Sequence, residues 1–221
     1  MARWAPARAT KRSLDIIVGV VASVASLVIV LPLAVGALLS YGASPFFRQL
    51  RVGRGGRLVR VWKIRSLPVS TDPTADKYAI AGENNTRFGR FVRSTHLDEL
   101  PQLWLVISGR MSLVGPRPEM IHLDARLSAA HAAARRPLRP GCTGLWQISK
   151  DSARLMGEVP EYDIFYAEHQ SLRLDLWILW RTAMLSPRRH PISLDDVPAW
   201  ARRNPAPRPV KAVPVSILDA A

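Results

Sequence analysis

The stretch "IIVGVVASVASLVIVLPLAVGALL", residues 16–39, decides the class of fold open to this chain. It contains no charged residue, and roughly 20 apolar residues suffice to cross the core of a bilayer as an α-helix. A buried helix of a soluble domain is a poor alternative, because an uncharged run of this length rarely fits a domain of this size. A cleaved signal peptide is a second alternative, but the run lacks a clear small-x-small cleavage site close behind it. The stretch therefore predicts a membrane-inserted helix.

The flanks of this run make its topology unusual. Basic residues stand on both sides of it, namely Arg3, Arg8, Lys11 and Arg12 before it and Arg48, Arg51, Arg54, Arg57 and Arg60 after it. The positive-inside rule then draws both flanks to the cytoplasm. Pro32 lies within the run, where it removes a backbone donor and predicts a kink or break. The sequence allows either a span or a re-entrant hairpin, and these two features favour the re-entrant form.

The composition points to an anionic partner. The 221 residues carry a net charge of +14, with a computed pI of about 11.2 and 48% hydrophobic residues. A chain of this kind has enough apolar residues for a core, and its charge suits nucleic acid, an anionic membrane or a phosphorylated substrate. The single cysteine, Cys142, excludes a disulfide within the chain. The five histidines are scattered and no C-x-x-C occurs, which argues against a zinc site.

The remaining pattern predicts an α+β fold that is mostly helical. We divide the chain into a basic N-terminal segment (1–15), the membrane helix (16–39), a folded domain (40–186) and a Pro/Arg-rich tail (187–221) that is disordered or loosely attached. The glycine-rich turn 53–56 and the alternating residues after it predict a β-hairpin. Leu58 stands where a phosphate-binding G-x-G-x-x-G motif has its last glycine, so this turn is interpreted as a hairpin loop. Residues 68–86 are polar and rich in turn-forming residues, which predicts a loop.

Three helical segments follow, over residues 88–107, 125–136 and 161–184, separated by loops that include Pro116-Arg117-Pro118. In the last segment the residues at helical spacing on one apolar face are Leu172, Leu176, Leu179 and Ala183. Trp177 and Trp180 lie beside that face. They fit a protein core and a position at the lipid headgroups equally well.

Two adjacent carboxylates, Asp98 and Glu99, interrupt a mostly apolar stretch. Pro101 belongs in a first helical turn or at a kink, which places Asp98 near a helix N-terminus. The helix dipole and Arg93 nearby predict that Asp98 stays ionised, as a nucleophile or a Mg²⁺ ligand must. Ordinary capping is the alternative, because acidic residues are common in first turns.

The supply of cations favours the chemical interpretation. Lys63, Arg93 and Arg117 each stand in a motif-like setting, and the two flanking prolines make the backbone of Arg117 stiff. Fixed cations suit the non-bridging oxygens of a phosphate group. A carboxylate, a metal ion and several such cations together are typical of phosphoryl transfer.

The run "RSTHLDELPQLWLVISGRMSLVGPRPE", residues 93–119, resembles the signature of the bacterial sugar transferases, the monotopic polyprenyl-phosphate phosphoglycosyl transferases. Further blocks occur in the family order: "KRSLDII", "SPFFRQLRVGRGGRLVRVWKIRSL", "RPGCTGLWQISK" and "EYDIFYAEHQSLRLDLWILWRT". The resemblance covers residues 11–182 and leaves out the tail after Pro187.

The resemblance implies an enzyme of the bacterial inner (cytoplasmic) membrane whose active site faces the cytoplasm. A re-entrant helix broken at Pro32 would hold it, and amphipathic interfacial helices would surround the active site. The implied reaction transfers a sugar-1-phosphate from a nucleotide sugar, usually a UDP-sugar, to polyprenyl phosphate with release of a nucleoside monophosphate. That step initiates the synthesis of bacterial surface glycans. The implied partners are the nucleotide-sugar donor, polyprenyl phosphate and membrane lipid, and a homodimer stays open.

The resemblance also implies roles for individual residues. Asp98 would be the nucleophile that forms a phosphosugar-aspartyl intermediate, and Glu99 would support it by orienting it or through Mg²⁺, with both carboxylates as metal ligands. Arg93 and Arg117 would hold phosphates, and Lys63 matches a basic residue of the family. Gln147 and Asp175 match family positions assigned here to substrate binding.

Some positions depart from the family pattern. His96, Leu105 and Arg110 stand where Ser, Asn and Asp are common, and Ile64 replaces an aromatic residue, so the choice of substrate is not implied. The chain resembles a short form without the N-terminal membrane helices of longer members. Two other hypotheses are a membrane-anchored protein that binds nucleic acid or phospholipid and a catalytically silent scaffold. The spread of the arginines and the missing RNA-binding motif argue against nucleic acid, and the intact Asp-Glu pair argues against the scaffold.

Overall fold

The computed structural model describes residues 5–72, 85–188 and 191–202. These residues are mostly helical and include a small antiparallel hairpin, as the sequence predicts. The helices and strands are α1 (Ala5–Tyr41), β1 (Phe46–Val52), β2 (Leu58–Ile64), α2 (Arg87–Ser94), α3 (Leu103–Ile107), β3 (Ser112–Val114), α4 (Ile121–Asp124), α5 (Ala129–Arg135), β4 (Gly141–Thr143), α6 (Leu145–Ile148), α7 (Glu161–His169) and α8 (Leu172–Arg188). The short 3₁₀ turns are Arg54–Gly56, Leu97–Gln102, Met156–Glu158, Leu194–Asp196 and Ala199–Ala201.

The N-terminal helix α1 has 37 residues and is about 55 Å long at the usual rise per residue. It begins at Ala5 rather than at the predicted residue 16. Pro32 lies inside it, and the helix assignment continues through that position. The structure therefore does not confirm the predicted break. Residues 9–41 are long and apolar enough to cross a membrane.

One face of helix α1 packs against the rest of the protein. The buried residues on that face recur every three or four positions up to Val30, and Ala37 follows seven positions later: Asp15, Gly19, Ser23, Ser26, Val30 and Ala37. Small side chains allow a close approach, since a Cβ added at Gly19 would lie 3.2 Å from Val106. The opposite face is apolar and exposed: Ile17, Val21, Val24, Val28, Leu31, Val35 and Leu39.

The predicted hairpin is confirmed. Strands β1 and β2 are antiparallel, with Phe46 opposite Ile64 and Val52 opposite Leu58. Gly55 in the connecting turn has a φ of 68°, a value that glycine adopts without strain. Val59 and Val61 of β2 join the main core. The other end of the strand, at Ile64, packs in a second core with α1 and α2.

The predicted single helix over residues 88–107 is wrong. Helix α2 is capped by Thr86, whose hydroxyl accepts a hydrogen bond from the Gly89 amide at 3.0 Å, and it ends at Ser94. His96 then takes a left-handed conformation with a φ of 57°. A 3₁₀ turn containing Pro101 follows, and only then does α3 begin. The reversal at His96 directs the chain that carries Asp98 and Glu99 back towards the hairpin.

The last predicted helix, over residues 161–184, is two helices. Gln170 between them has a ψ of 117°, which is outside the helical region. In α8 the buried apolar residues are Leu174, Trp177 and Ile178, whereas Trp180 is 53% exposed. The predicted apolar face is therefore not the packed one, and Leu172 and Leu176 lie on the outside.

The prediction for residues 125–136 needs correction, and two short strands are an addition to the predicted fold. The helix predicted over residues 125–136 begins only at Ala129, after an N-cap at Ser128, and is preceded by the separate short α4. Strands β3 and β4, which pair in parallel, were not predicted.

The predicted loose tail is wrong for the part that the structure describes. Ile192 forms a bridge with Ser149, and Ile192, Val197 and Ala201 are buried in the main core. Residues 203–221 of the tail and residues 73–84 of the predicted loop lie outside the described residues.

Candidate active site

A cleft of about 220 Å³ opens between the hairpin, the segment after it and the 3₁₀ turn 97–102. The charged residues that line it are Arg51, Lys63, Arg65, Arg93, Arg117, Asp72, Asp98 and Glu99. Five of the seven residues predicted for the site therefore come together here, namely Lys63, Arg93, Asp98, Glu99 and Arg117. The cleft has more cations than carboxylates, so it suits an anionic ligand.

Glu99 is held by two cations. Its Oε1 atom accepts hydrogen bonds from Lys63 Nζ at 2.7 Å and from Arg117 Nη2 at 3.1 Å. Strand β2 supplies Lys63, and the loop between β3 and α4 supplies Arg117. The Oε2 atom of Glu99 takes part in neither bond.

Asp98 is in a different state although it is the next residue. It is 7% exposed and lines the cleft, and within the described residues no hydrogen bond or ion pair to its carboxylate is present. Successive residues of a 3₁₀ turn point about 120° apart, so the two carboxylates can serve different partners. Asp98 thus offers a carboxylate that a ligand in the cleft can reach.

The surroundings also move the pKa values of the two groups apart. Burial raises the pKa of Asp98, and the negative charge of Glu99 raises it further, while Lys63 and Arg93 oppose the shift. Burial also disfavours ionised Glu99, but Arg117 and Lys63 outweigh it and hold the pKa of Glu99 well below its usual range. The expectation that a helix dipole and Arg93 keep Asp98 readily ionised is therefore incomplete, because burial has the larger effect.

Arg51 lines the cleft but was not predicted as a site residue from the sequence. Its Nε donates to Gln49 Oε1 at 2.9 Å, and its Nη1 lies 3.6 Å from Glu119 Oε1. Burial and the neighbouring Arg117 lower the pKa of Arg51 to about 10. The signal was available in the sequence, since residues two apart on a strand share a face and Gln49, Arg51 and Lys63 belong to one hairpin.

The loop that carries Arg117 is held by its backbone. The Gly115 amide donates to Thr143 O, and the Gly141 amide donates to Pro116 O, each at 2.9 Å. A Cβ at Gly115 would lie 2.4 Å from the Arg139 carbonyl, so this approach requires glycine. These bonds place Arg117 opposite Glu99.

Gln147 and Asp175 do not line the cleft. Gln147 Nε2 donates to the Cys142 carbonyl at 2.9 Å. Asp175 is 1% exposed and accepts hydrogen bonds from Lys11 Nζ and Tyr166 OH, each at 2.7 Å. The structure therefore gives no support for direct substrate contact by either residue.

The oxygen donors of the cleft fit a Mg²⁺ ion that is coordinated partly by the protein and partly by a substrate. Mg²⁺ is commonly bound by one or two carboxylates together with substrate phosphates. Asp98, with no protein partner among the described residues, and the Oε2 atom of Glu99 supply such oxygens. No group of three or more His, Cys, Asp or Glu side chains that could enclose a metal ion is found in the described part of the chain.

The four departures from the family pattern fall into two groups. His96 and Ile64 line the cleft. Leu105 is buried in the main core, and Arg110 is exposed. Only the first two are placed where they can contact a ligand.

Comparison with known proteins identifies the family of this chain. The family model described as bacterial sugar transferase matches residues 6–188. The UDP-glucose:undecaprenyl-phosphate glucose-1-phosphate transferase of Klebsiella pneumoniae is 37% identical over 182 residues, which are 78% of this chain and 39% of that protein. The UDP-galactose-lipid carrier transferase of Erwinia amylovora is 35% identical over 191 residues, covering 79% and 40% of the two chains. A transferase of Caulobacter vibrioides with the same name as the Klebsiella protein is 36% identical over 180 residues, covering 78% and 67%. The chain thus spans about two fifths of the length of the first two relatives.

Proposed function

Because this chain belongs to the bacterial sugar transferase family, we propose that it transfers a sugar-1-phosphate from a UDP-sugar to undecaprenyl phosphate. Nucleoside monophosphate leaves, and the product initiates the synthesis of a bacterial surface glycan. The observation that carries the proposal is the cleft in which two adjacent carboxylates, one anchored by cations and one open, stand among further cations. The names of the relatives support a UDP-sugar donor and an undecaprenyl-phosphate acceptor.

The proposed chemistry has two displacements at one phosphorus atom. In the first, an Asp98 oxygen bonds to the sugar-bearing phosphorus of the donor, and the bond from that phosphorus to the nucleoside monophosphate breaks. In the second, an oxygen of the acceptor phosphate bonds to the same phosphorus, and the Asp98 carboxylate leaves. Splitting one transfer into two steps is the general advantage of covalent catalysis.

The protein groups divide the electrostatic task. Lys63 and Arg117 keep Glu99 ionised and fixed, and they also present positive charge to the cleft. Arg51 and Arg93 add cations for the non-bridging phosphate oxygens. Mg²⁺ bound by Asp98 and Glu99 would neutralise charge on the diphosphate. Fixed charges of this kind stabilise a transition state without reorganising during the reaction.

The packing of α1 argues against a position in which this helix spans the membrane. Near its start, Lys11 bonds to Asp175, and Asp15 accepts from Ser112 and the Leu113 amide. At its end, Tyr41 bonds to Asn85. A helix about 55 Å long that spanned a bilayer about 30 Å thick would place its two ends on opposite sides. Both ends contact the same folded unit, so we propose that lipid covers the exposed apolar face while the domain stays at the cytoplasmic surface of the inner membrane.

Cysteine labelling tests this topology. Ser13 and Ser44 flank the apolar run and are exposed. Single cysteines at these two positions, in a Cys142→Ser background, are exposed to a membrane-impermeant maleimide in intact spheroplasts and in inverted vesicles. We expect both to react only in inverted vesicles. If one cysteine reacted in intact spheroplasts and the other in inverted vesicles, the helix would span the membrane and the proposal would be overturned.

Nucleoside monophosphate release tests the reaction. Purified protein in detergent, with Mg²⁺ and undecaprenyl phosphate, is given a panel of UDP-sugars beside Asp98→Asn and the surface control Asp195→Asn. We expect release with at least one sugar by the wild type and the control and none by Asp98→Asn. Equal release by Asp98→Asn would remove Asp98 as the nucleophile.

A further inference from the structure

A buried ionic cluster lies directly behind Arg117. Arg135 of α5, Asp163 of α7 and His131 of α5 are 8%, 3% and 0% exposed. Arg135 Nη1 donates to Asp163 Oδ2, and His131 Nε2 lies 2.9 Å from the same oxygen. The other guanidinium nitrogen, Nη2, donates to the backbone carbonyl of Arg117 at 2.6 Å.

This arrangement demands an explanation, because a buried ion pair is costly to desolvate and an apolar pair would often be more stable. Arg135 Nη1 also lies 2.7 Å from Met156 Sδ. Its bond to the Arg117 carbonyl connects the cluster to a residue that lines the cleft.

The Arg117 loop depends on donors from elsewhere. Pro116 and Pro118 have no backbone N–H, so the loop can form few bonds of its own. The carbonyls of the loop and of the strand residue before it accept bonds: Val114 O from Lys11, Tyr166 and Ser112, Pro116 O from the Gly141 amide, and Arg117 O from Arg135. Of the bonds to Pro116 O and Arg117 O, only the second has a charged donor, and such bonds are the stronger kind.

One residue joins this cluster to the proposed catalytic pair. The carbonyl of Arg117 is held by Arg135, while its guanidinium donates to Glu99 Oε1 at 3.1 Å. A shift of the Arg117 backbone by about 1 Å would break the second bond, and misplacements of that size can lower rates about 100-fold.

We propose that Arg135 is a positioning residue for the transfer reaction: through the Arg117 carbonyl it sets the place of the Arg117 guanidinium against Glu99. Asp163 and His131 orient its planar fork from behind. The inference rests on the proposed function for its effect on turnover, whereas its effect on the loop stands without it.

Arg135→Lys separates this role from general stability. Lysine keeps the charge but cannot reach two acceptors in the fixed geometry of a guanidinium. The matched control is Arg136→Lys, the next residue of the chain, whose Nη2 donates to Asp124 Oδ2 at 2.6 Å and does not contact the loop. Asp163→Asn is the second variant, since it keeps the size of the side chain but removes the charge that aligns Arg135.

Turnover is measured as nucleoside monophosphate release, and stability as the melting temperature. We expect Arg135→Lys to lower kcat about 100-fold with a smaller change in KM, and Asp163→Asn to lower it about 10-fold. Arg136→Lys should stay within about threefold of the wild type. A loss of kcat in Arg135→Lys no greater than in Arg136→Lys would overturn the proposal, even if its melting temperature fell.

Hydrogen–deuterium exchange of the peptide covering residues 112–120 gives a second readout that needs no substrate. The amides of Gly115 and Met120 are hydrogen-bonded and report on the loop. We expect faster exchange in Arg135→Lys and Asp163→Asn and unchanged exchange in Arg136→Lys. If the wild type releases no nucleotide with any sugar, the proposed function fails, and the exchange rates still decide whether Arg135 holds the loop. Unchanged exchange in both cluster variants would refute its positioning role.

Discussion

Two clusters in this protein each hold one carboxylate through two donors, but the pKa values of the two carboxylates shift in opposite directions. In the cleft cluster, Lys63 and Arg117 hold Glu99, whose side chain is 19% exposed. In the Asp175 cluster, Lys11 and Tyr166 hold Asp175, whose side chain is 1% exposed. The pKa of Glu99 is lowered because two cations outweigh its burial, whereas burial raises the pKa of Asp175 against Lys11 and Tyr166.

The two clusters also differ in whether they leave positive charge that a ligand can bind. The cleft cluster has one more cation than its carboxylate neutralises, and Arg51 and Arg93 add to that excess. The Asp175 cluster has one cation for one carboxylate, and its remaining donor is a neutral phenol. Its bonds reach α1, α7, α8 and, through the Val114 carbonyl, β3. We therefore expect changes in the cleft cluster to alter activity and changes in the Asp175 cluster to alter stability.

The largest expected effect is that of Asp98→Asn beside the cleft cluster. An amide cannot act as the proposed nucleophile, so turnover should fall at least about 1,000-fold. The melting temperature should stay within about 2 °C of the wild type, because the Asp98 carboxylate has no hydrogen-bond partner among the described residues. Nucleotide release and a thermal melt check both, and a large loss of stability would break the contrast between the clusters.

Asp175→Asn should show the reverse behaviour. It leaves Lys11, a part-buried cation, without its partner, and we expect unfolding to become easier by about 3 kcal/mol. The activity per folded molecule should stay within about threefold of the wild type. Denaturant titration gives the first number, and turnover normalised to folded protein gives the second. A selective loss of activity would return Asp175 to the substrate-binding role that the family resemblance implies.

A smaller effect is expected for Arg51→Gln. Removing one cation that faces the cleft should raise the KM for the UDP-sugar about 10-fold, since charge-assisted bonds to phosphate contribute roughly 1.5–3 kcal/mol. Arg48→Gln is the matched control on the same strand, because its guanidinium stacks on Trp62 at 4.2 Å and does not line the cleft. Equal KM values for the two variants would exclude Arg51 from donor binding.

The smallest effect concerns the pH dependence of stability in metal-free buffer. The pKa of Asp98 is raised on folding, so ionising it costs stability as the pH rises above the usual range near 4. The free energy of unfolding of Asp98→Asn, relative to the wild type, should therefore increase from pH 4 to pH 7. The pKa of Glu99 is lowered, so its contribution is present above pH 4–5 and is lost as the pH falls further. The free energy of unfolding of Glu99→Gln, relative to the wild type, should thus decrease over the same rise in pH. If this relative free energy changed in the same direction for both variants, the opposite pKa shifts assigned to Asp98 and Glu99 would be wrong.

The parts of the site that could be predicted are those encoded by residue type and local spacing. Asp98, Glu99, Arg93, Arg117 and Lys63 all line the cleft that the structure contains. Arg135 escaped prediction because its function depends on a bond to a backbone carbonyl 18 residues away. Residues 192–201 escaped because Pro and Arg suggest a loose chain, whereas burial of three apolar residues among them holds it in place.

Hydropathy by itself determined the long apolar helix, and alternation with a glycine turn determined the hairpin, since both are local effects of the chain. The sequence motifs that resemble the bacterial sugar transferases, in the order of that family, identified the family of this chain. Only the tertiary structure decided that the helical run 88–107 reverses at His96, that Glu99 is anchored while Asp98 is open, and that Asp175 is sealed against Lys11. The reason is physical: a carboxylate's state depends on the burial and the cations around it, and those neighbours come from segments 36, 18 or 164 residues distant.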